Sequence, residues 1–252
     1  MQKIIQKAAR EGGKILLKYF RTDGIKDLHK KDSIVTKADL ESEKKILSII
    51  QKNFPDYNIF SEEIGHIDRG SKYTWAIDPL DGTTNFTKGN PFFSISIALL
   101  HEKEPMFGLV YIPFMDEMYI AEKNKGAYLN NKKIRVSRKN ELKGAELVMC
   151  EGNLKTLARP AKIFSKLGPK VKDIKKLGSA AVECVYVATG RADAYISTQI
   201  NPYDVAAGIL LIEEAGGIVS DFKGDKWPME TADFVGSNKR LYIELIKNTK
   251  NI

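Results

Sequence analysis

A chain of 252 residues, 43% hydrophobic and 29% charged, has the make-up of a globular protein in water, long enough for one large domain or two closely packed halves. It contains nothing near the ~18 to 20 consecutive apolar residues of a membrane span, and Cys150 and Cys184, both in apolar surroundings, are too few for a disulfide framework and read as buried thiols in a reducing cytoplasm. The formal charge of +8 comes largely from lysine-rich runs without interleaved aromatics or a nucleic-acid motif, so it reads as solvated faces with an attraction for anionic small molecules.

In chain order, residues 2–20 carry Ile4, Ile5, Ala8, Ile15, Leu16, Tyr19 and Phe20 mostly at helical spacing, and their charge density argues a folded helix rather than a signal peptide. A basic, polar loop, "KDLHKKDS", follows. Thr36 and Asp39 then open a second helix as a capping box, Ile46, Ile49, Ile50 and Phe54 form its apolar stripe, and Pro55 stops it. "YNIF" and "KYTWAI" are short buried strands. From Pro91 to about Val136 β-rich runs alternate with tight polar turns, with Asn130-Asn131 as a hairpin turn.

Beyond about residue 140 the rhythm becomes an alternation of strands ("AELVMC", "KVKDIKKL", "ADAYIS", "IVSDF", "DFVGS") and helices ("LARPAKIFSKLG", "SAAVECVYVATG", "PYDVAAGILLIEEAGG" and a final one). Such alternation predicts an α/β half. The expected organisation is therefore an α+β half over residues 1–138, two helices on a mainly antiparallel sheet, and an α/β half over residues 139–252. No linker separates them, so tight packing is expected.

The chemistry concentrates in carboxylates at the ends of these elements. Glu62 and Glu63 follow "YNIF", Asp78 and Asp81 follow "KYTWAI", Asp204 lies in the first turn of the helix opened by Asn201-Pro202, and Asp39 holds the same place on the second helix. Pro79 forces the chain to leave in a set direction, so that the carboxylates of Asp78 and Asp81 can converge with the Leu80 carbonyl between them. Two such charges about 4 Å apart repel by roughly 4 kcal/mol at an effective dielectric near 20. A protein keeps that arrangement if a cation neutralises it or one group holds a proton. Hard oxygen ligands at this density suit Mg²⁺, which leaves coordination positions for a phosphate. Gly82 and Thr83 then provide close backbone approach and an anion nest. Taken singly, each piece also has a bland reading: Asp-Pro-x-Asp-Gly as a surface turn, Asp204 as a helix cap, Glu62-Glu63 as a solvated loop. EF-hand, Walker A and dinucleotide fingerprints are absent.

Together, "SEE", "IDPLDGTTNF" and "YDVAAGILLIEEAGG" resemble the inositol monophosphatase family of Mg²⁺-dependent, lithium-sensitive phosphatases, which includes archaeal-type fructose-1,6-bisphosphatases and 3′-phosphoadenosine phosphatases. The resemblance runs from "DSIVTKAD" through "KLGSAAVECVYVATGRADAY" to "FVGSN". It implies a layered αβαβα sandwich. It also implies two or three Mg²⁺ ions, replaceable by Mn²⁺, held by Glu62, Asp78, the Leu80 carbonyl, Asp81 and Asp204. Thr83, linked to Asp39, would orient the attacking water, with Glu62 beside the weaker ion. The amides of Gly82 and Thr83 would take phosphate, and Gly178, Ser179 and Ala180 would line the polyol or sugar side. The loop at Lys30 and Lys31 is similar to the family's mobile metal-site loop. The resemblance further implies a cytoplasmic homodimer hydrolysing inositol-1-phosphate or a related sugar phosphate, with fructose-1,6-bisphosphate or 3′-phosphoadenosine 5′-phosphate as alternative substrates. Some bacterial members act instead as RNA-polymerase-associated factors. Tyr203 stands where the family usually has tryptophan, and Ser197, with Gln199 near, stands where inositol-specific members carry a glutamate for substrate hydroxyls.

Overall fold

In the computed structural model, which describes residues 1–22, 27–30, 33–150, 157–250 and 252, the chain forms five layers, α–β–α–β–α. Thr36 starts the second helix as the sequence implies. Its hydroxyl accepts from the Ala38 amide, and Asp39 takes the Thr36 amide in return. That helix, α2 (Lys37–Asn53), packs beside α1 (Gln2–Tyr19). Their buried stripes, Ile5, Ala8 and Leu16 against Ile46 and Ile50, lie on one face of an eight-stranded sheet.

In chain order the early strands are β1 (Asp27–Lys30), β2 (Ser33–Thr36), β3 (Asn58–Ser61), β4 (Gly65–Ile67) and β5 (Tyr73–Asp81). A short helix, α3 (Thr83–Thr87), leads on to β6 (Ser94–His101), β7 (Glu104–Ile112), β8 (Glu117–Glu122), β9 (Gly126–Leu129) and β10 (Lys132–Lys133). The sheet order is β10-β9-β8-β7-β6-β5-β3-β4, antiparallel throughout except for the parallel pair β3/β5. Leu129 pairs with Lys132 across Asn130 and Asn131, both at positive φ, the two-residue hairpin that the paired asparagines imply. The segment read as a polar loop instead pairs Asp27–Lys30 with Ser33–Thr36 as a separate antiparallel two-stranded sheet. Lys31 lies outside the described residues, and Lys30 is described by its backbone alone.

The second half supplies β11 (Glu146–Cys150), α4 (Ala158–Leu167), β12 (Asp173–Lys175), α5 (Ala180–Ala188), β13 (Ala194–Ile200), α6 (Pro202–Glu214), β14 (Gly217–Ser220), β15 (Ala232–Asn238) and α7 (Lys239–Thr249). Its five-stranded sheet, β12-β11-β13-β15-β14, is parallel across its first three strands and antiparallel at β15. α4 and α7 cover its outer face through Ile163, Leu167, Leu241 and Leu245. α5 and α6 are apolar on nearly every side ("AAVECVYVA", "VAAGILLI"), and a helix of that kind must be buried all round. They fill the layer between the two sheets, contacting both.

This central layer is close-packed. At Gly108 of β7 a Cβ would meet the Ala207 carbonyl oxygen of α6 at 2.8 Å and its Cα at 3.0 Å, both backbone atoms that cannot step aside. Gly108→Ala should therefore destabilise the fold by about 1–3 kcal/mol, read as a lower denaturant midpoint with an unchanged m-value.

Candidate active site

Successive residues of a strand alternate faces, so Asp78 and Asp81, three apart, would ordinarily point to opposite sides of the sheet. Here they share a face. Asp78 pairs with Ser96 and Asp81 with Ser94, which lie on the same side of β6, because β5 fits Pro79 and Leu80 where β6 has only Ile95. The extra residue makes a β-bulge. Pro79, with no N–H to donate, suits the place where ladder pairing lapses. The Ser42 hydroxyl of α2 donates to the Pro79 carbonyl at 3.1 Å, and the Leu80 amide to Asp78 Oδ1 at 2.9 Å, which holds the bulge in shape. The strand thus runs through both aspartates instead of ending at Ile77, and pairing resumes at Asp81 beyond the bulge. The face that receives them, with Ala76 and Ala98, is the one covered by α5 and α6.

Glu62 arrives from β3. Ser61 is in register with Ile77, and the Glu62 amide continues the ladder by donating to the Ile77 carbonyl at 3.2 Å, so Glu62 comes level with Asp78. Glu43, buried on α2, fixes this segment: its Oε1 accepts from the Ser61 hydroxyl and from the amides of Glu63 and Ile64 at 3.1 and 3.2 Å. Glu43 belongs to none of the acidic motifs in the sequence. Its signal was a glutamate four residues after Asp39, inside the buried stripe that continues to Ile46, Leu47 and Ile50.

Two helix caps double as site groups. Asp39 Oδ2 accepts from the Thr36 amide at 2.8 Å, and its Oδ1 accepts from the Thr83 hydroxyl at 3.3 Å. Thr83 Oγ1 also lies 3.0 Å from the Leu80 carbonyl, so its single proton has two acceptors. Asp204 Oδ2 accepts from the Asn201 amide at 3.2 Å, while its carboxyl lies within hydrogen-bonding reach of Asp78. The bland and the chemical readings of these aspartates are therefore compatible, since capping sets the side-chain direction.

Asp81 is held by four donors: the hydroxyls of Ser179 and Ser94 (3.4 Å for the latter) and the amides of Ala180 at 3.1 Å and Ala181 at 2.7 Å. Ser179 and Ala180 are buried and face Asp81, whereas Gly178 is half-buried. Gly82 has φ +88°, and a Cβ there would meet the Phe92 carbonyl at 2.8 Å, so both its conformation and its space demand glycine. Asp39, Asp78 and Asp81 form a buried floor. Glu62, Gly82, Thr83, Gly178 and Asp204 are half-buried around it. Ser197 is fully buried within β13, but Gln199, at a second bulge with φ +56°, is exposed.

Electrostatics make this floor costly. Burial, and then the charges of Glu62 and Asp81, push Asp78 well above the usual carboxylate range. Burial, then Asp81 and Glu62, do the same to Asp204. Glu62 rises to about 8 through burial, with Glu63 and Asp39 adding to it, and Asp39 rises to about 6 through burial. Asp81 is raised by burial too, against the opposing effect of its four donors. Among the described residues, no ion pair involves Glu62, Asp78, Asp81 or Asp204.

An all-oxygen donor set in mutual repulsion, without a cationic side chain, fits a hard divalent cation. Among the described residues no three of these groups surround one point as a finished ligand set. Asp78 instead lies within hydrogen-bonding reach of both Glu62 and Asp204, as carboxyls that share protons do. A shared proton and a cation are alternative ways of holding such charges together. A separate groove of about 470 Å³ between α1 and β8–β9, lined by Gln6, Arg10, Met118 and Tyr128, lies on the opposite face of the sheet, away from these carboxylates.

The model of the inositol monophosphatase family matches residues 1–252. The chain belongs to the inositol monophosphatase family. A "Fructose-1,6-bisphosphatase/inositol-1-monophosphatase" from Thermotoga maritima is 37% identical over 243 residues, covering 96% of this chain and 92% of that one. "Nus factor SuhB" from Pasteurella multocida is 36% identical over 251 residues, covering 98% and 94%. Among solved structures, the extragenic suppressor protein suhB of Bartonella henselae superposes with a TM-score of 0.94 at 31% identity, over 99% of this chain and 98% of that one. The layered fold expected from the sequence is the fold of inositol monophosphatases.

An acid whose pKa is higher folded than unfolded holds its proton more tightly when folded. Its destabilisation is complete above the folded value and vanishes as pH falls toward the unfolded one. For Glu62 that window runs from about 8 down to the ordinary 4.5. In chelator, Glu62→Gln should raise Tm above wild type at about pH 9, and the gap should close by about pH 5. A gap independent of pH in thermal melts would contradict the buried-charge account.

Proposed function

We propose that the protein is a Mg²⁺-dependent phosphomonoesterase acting on inositol-1-phosphate or a related sugar phosphate. The observation that carries this reading is the bulge that turns Asp78 and Asp81 onto one buried face, level with Glu62 and within reach of Asp204. Glu62, Asp78, the Leu80 carbonyl, Asp81 and Asp204 would hold the ions. Bound Mg²⁺ supplies Lewis-acid stabilisation of the charge that builds on phosphoryl and ester oxygens.

The chain's own groups do the rest by position. When Thr83 donates its proton to Asp39 Oδ1, its lone pairs are free to accept one from an attacking water. Asp39, raised to about 6, is mostly ionised at neutral pH and so serves as that acceptor. The amides that open α3 at Gly82 and Thr83 have no intrahelical acceptors and would take phosphate oxygens. The half-buried Gly178 would border the sugar or polyol. Because Ser197 is buried and carries no charge where inositol-specific members place a glutamate, wider use of phosphate esters, including fructose-1,6-bisphosphate or 3′-phosphoadenosine 5′-phosphate, fits this chain.

A second reading comes from the relatives named Nus factor SuhB, which match as closely as the phosphatase from Thermotoga. A role of that kind would be an RNA-polymerase-associated one, and it does not compete for the carboxylates. Their burial speaks for the enzyme, since a protein that only binds a partner gains nothing from holding such repulsion.

Phosphate release from a panel of the three esters with Mg²⁺, abolished by chelator, is the expected result; no release from any ester would overturn the reading. Asp78→Asn should cut kcat by at least about 100-fold while raising Tm in chelator, because it relieves repulsion. Wild-type Mg²⁺-dependent turnover by that variant would remove Asp78 from the proposed ligand set.

A further inference from the structure

α5 carries a carboxylate where its neighbours are apolar. Glu183 is fully buried between Val182 and Cys184. Its Oε1 accepts two amides from the loop ahead of the helix, Leu177 at 2.9 Å and Gly178 at 3.2 Å. The other oxygen, Oε2, is buried near the Tyr195 hydroxyl, which in turn neighbours Ser197, both on β13. Ordinary capping does not call for this glutamate, because Ser179 already accepts from the Val182 amide.

The same loop is gripped from its other side. Asn85 Nδ2 donates to the Leu177 carbonyl and to the Phe92 carbonyl, each at 2.7 Å, which ties the loop to α3. Gly178 has φ +76°, a conformation that favours glycine, and a Cβ there would press on Asn85 Nδ2 at 3.1 Å. The next three residues then spend the Ser179 hydroxyl and the amides of Ala180 and Ala181 on Asp81. Residues 177–181 are thus a short bridge with a buried carboxylate behind and Asp81 in front.

We infer that Glu183 is a positioning residue for Asp81: through the amides of Leu177 and Gly178 it fixes the 177–181 loop, and through that loop the direction in which Asp81 presents its carboxylate. This inference rests on the metal-dependent reading of the site. Buried groups that orient ligands from behind typically alter metal affinity or activity by about 10- to 100-fold when removed.

The test is titration calorimetry of Mn²⁺ binding to wild type, Glu183→Ala and Glu183→Gln, with melting curves to count the folded fraction. E183A should weaken Mn²⁺ binding by about 10- to 100-fold, with kcat/KM falling in step. E183Q, which keeps an oxygen that can accept both amides, should bind as wild type does. A purely structural glutamate would lower Tm and the active fraction while leaving the Kd of the folded fraction unchanged, and that result for E183A would overturn the inference. Should E183A fail to fold, amide exchange in wild type decides: Leu177 and Gly178 should be strongly protected, and exchange as fast as in exposed loops would overturn it. Absence of Mn²⁺ binding by wild type would overturn the phosphatase reading and this inference with it, whereas normal wild-type binding with an unaltered E183A overturns the inference alone.

Discussion

Mutual repulsion among buried carboxylates is the constraint around which the rest of this structure is arranged. Asp78 and Asp81 lie in the floor of the site and feel Glu62 and Asp204 at short range. Burial adds a desolvation cost that raises every one of them. The protein reduces that cost with donors. The N-termini of α2, α5 and α6 converge on the cluster, and Asp39, Asp81 and Asp204 each accept amides there. Helix starts offer unpaired N–H groups and a favourable dipole for negative charge, so the same contacts that begin three helices keep the carboxylates in place. What remains uncompensated is a demand for positive charge, which the proposed divalent ions would meet.

The layered architecture makes that convergence possible. A β-bulge in β5 turns the chain's odd aspartate spacing into a shared face, and a second bulge in β13 precedes the turn into α6 and Asp204. Both sheets therefore deliver site residues to the layer between them, where α6 is packed against the backbone of β7 as tightly as Gly108 and Ala207 require. A site assembled from two sheets and four helix starts, on a floor this densely packed, suits chemistry that depends on positioning.

Membership of the family leaves a division that overall similarity does not resolve, since relatives named as phosphatases and relatives named as Nus factors match this chain to nearly the same degree. The local chemistry is the better guide. Carboxylates stand at every side-chain position of the proposed ligand set, and the departures from the family pattern fall at its edges, where Tyr203 replaces tryptophan and packs on Phe60, and where Ser197 and Gln199 occupy the stretch before Asp204. Under the proposed phosphatase reading, differences at such places would change which ester is held more readily than whether one is cleaved.

Much was legible in the residues alone. Helical and strand periods, the capping pairs Thr36/Asp39 and Asn201/Asp204, the Asn130-Asn131 turn and the order of the acidic motifs follow from local rules, because periodicity, capping and turn chemistry act over a few residues. The resemblance carried by "DPLDGTTNF" supplied the family. Three things were decided only in three dimensions. The extension of β5 through Asp81 depends on pairing with Ser94 of another strand. The pairing of residues 27–30 with 33–36 replaced an apparent loop. The contacts of Glu43 and Glu183 depend on the amides of Glu63 and Ile64 and on those of Leu177 and Gly178. A lone glutamate in an apolar stripe announces that it must be satisfied, but which distant backbone satisfies it is fixed by packing, and packing is a property of the whole chain.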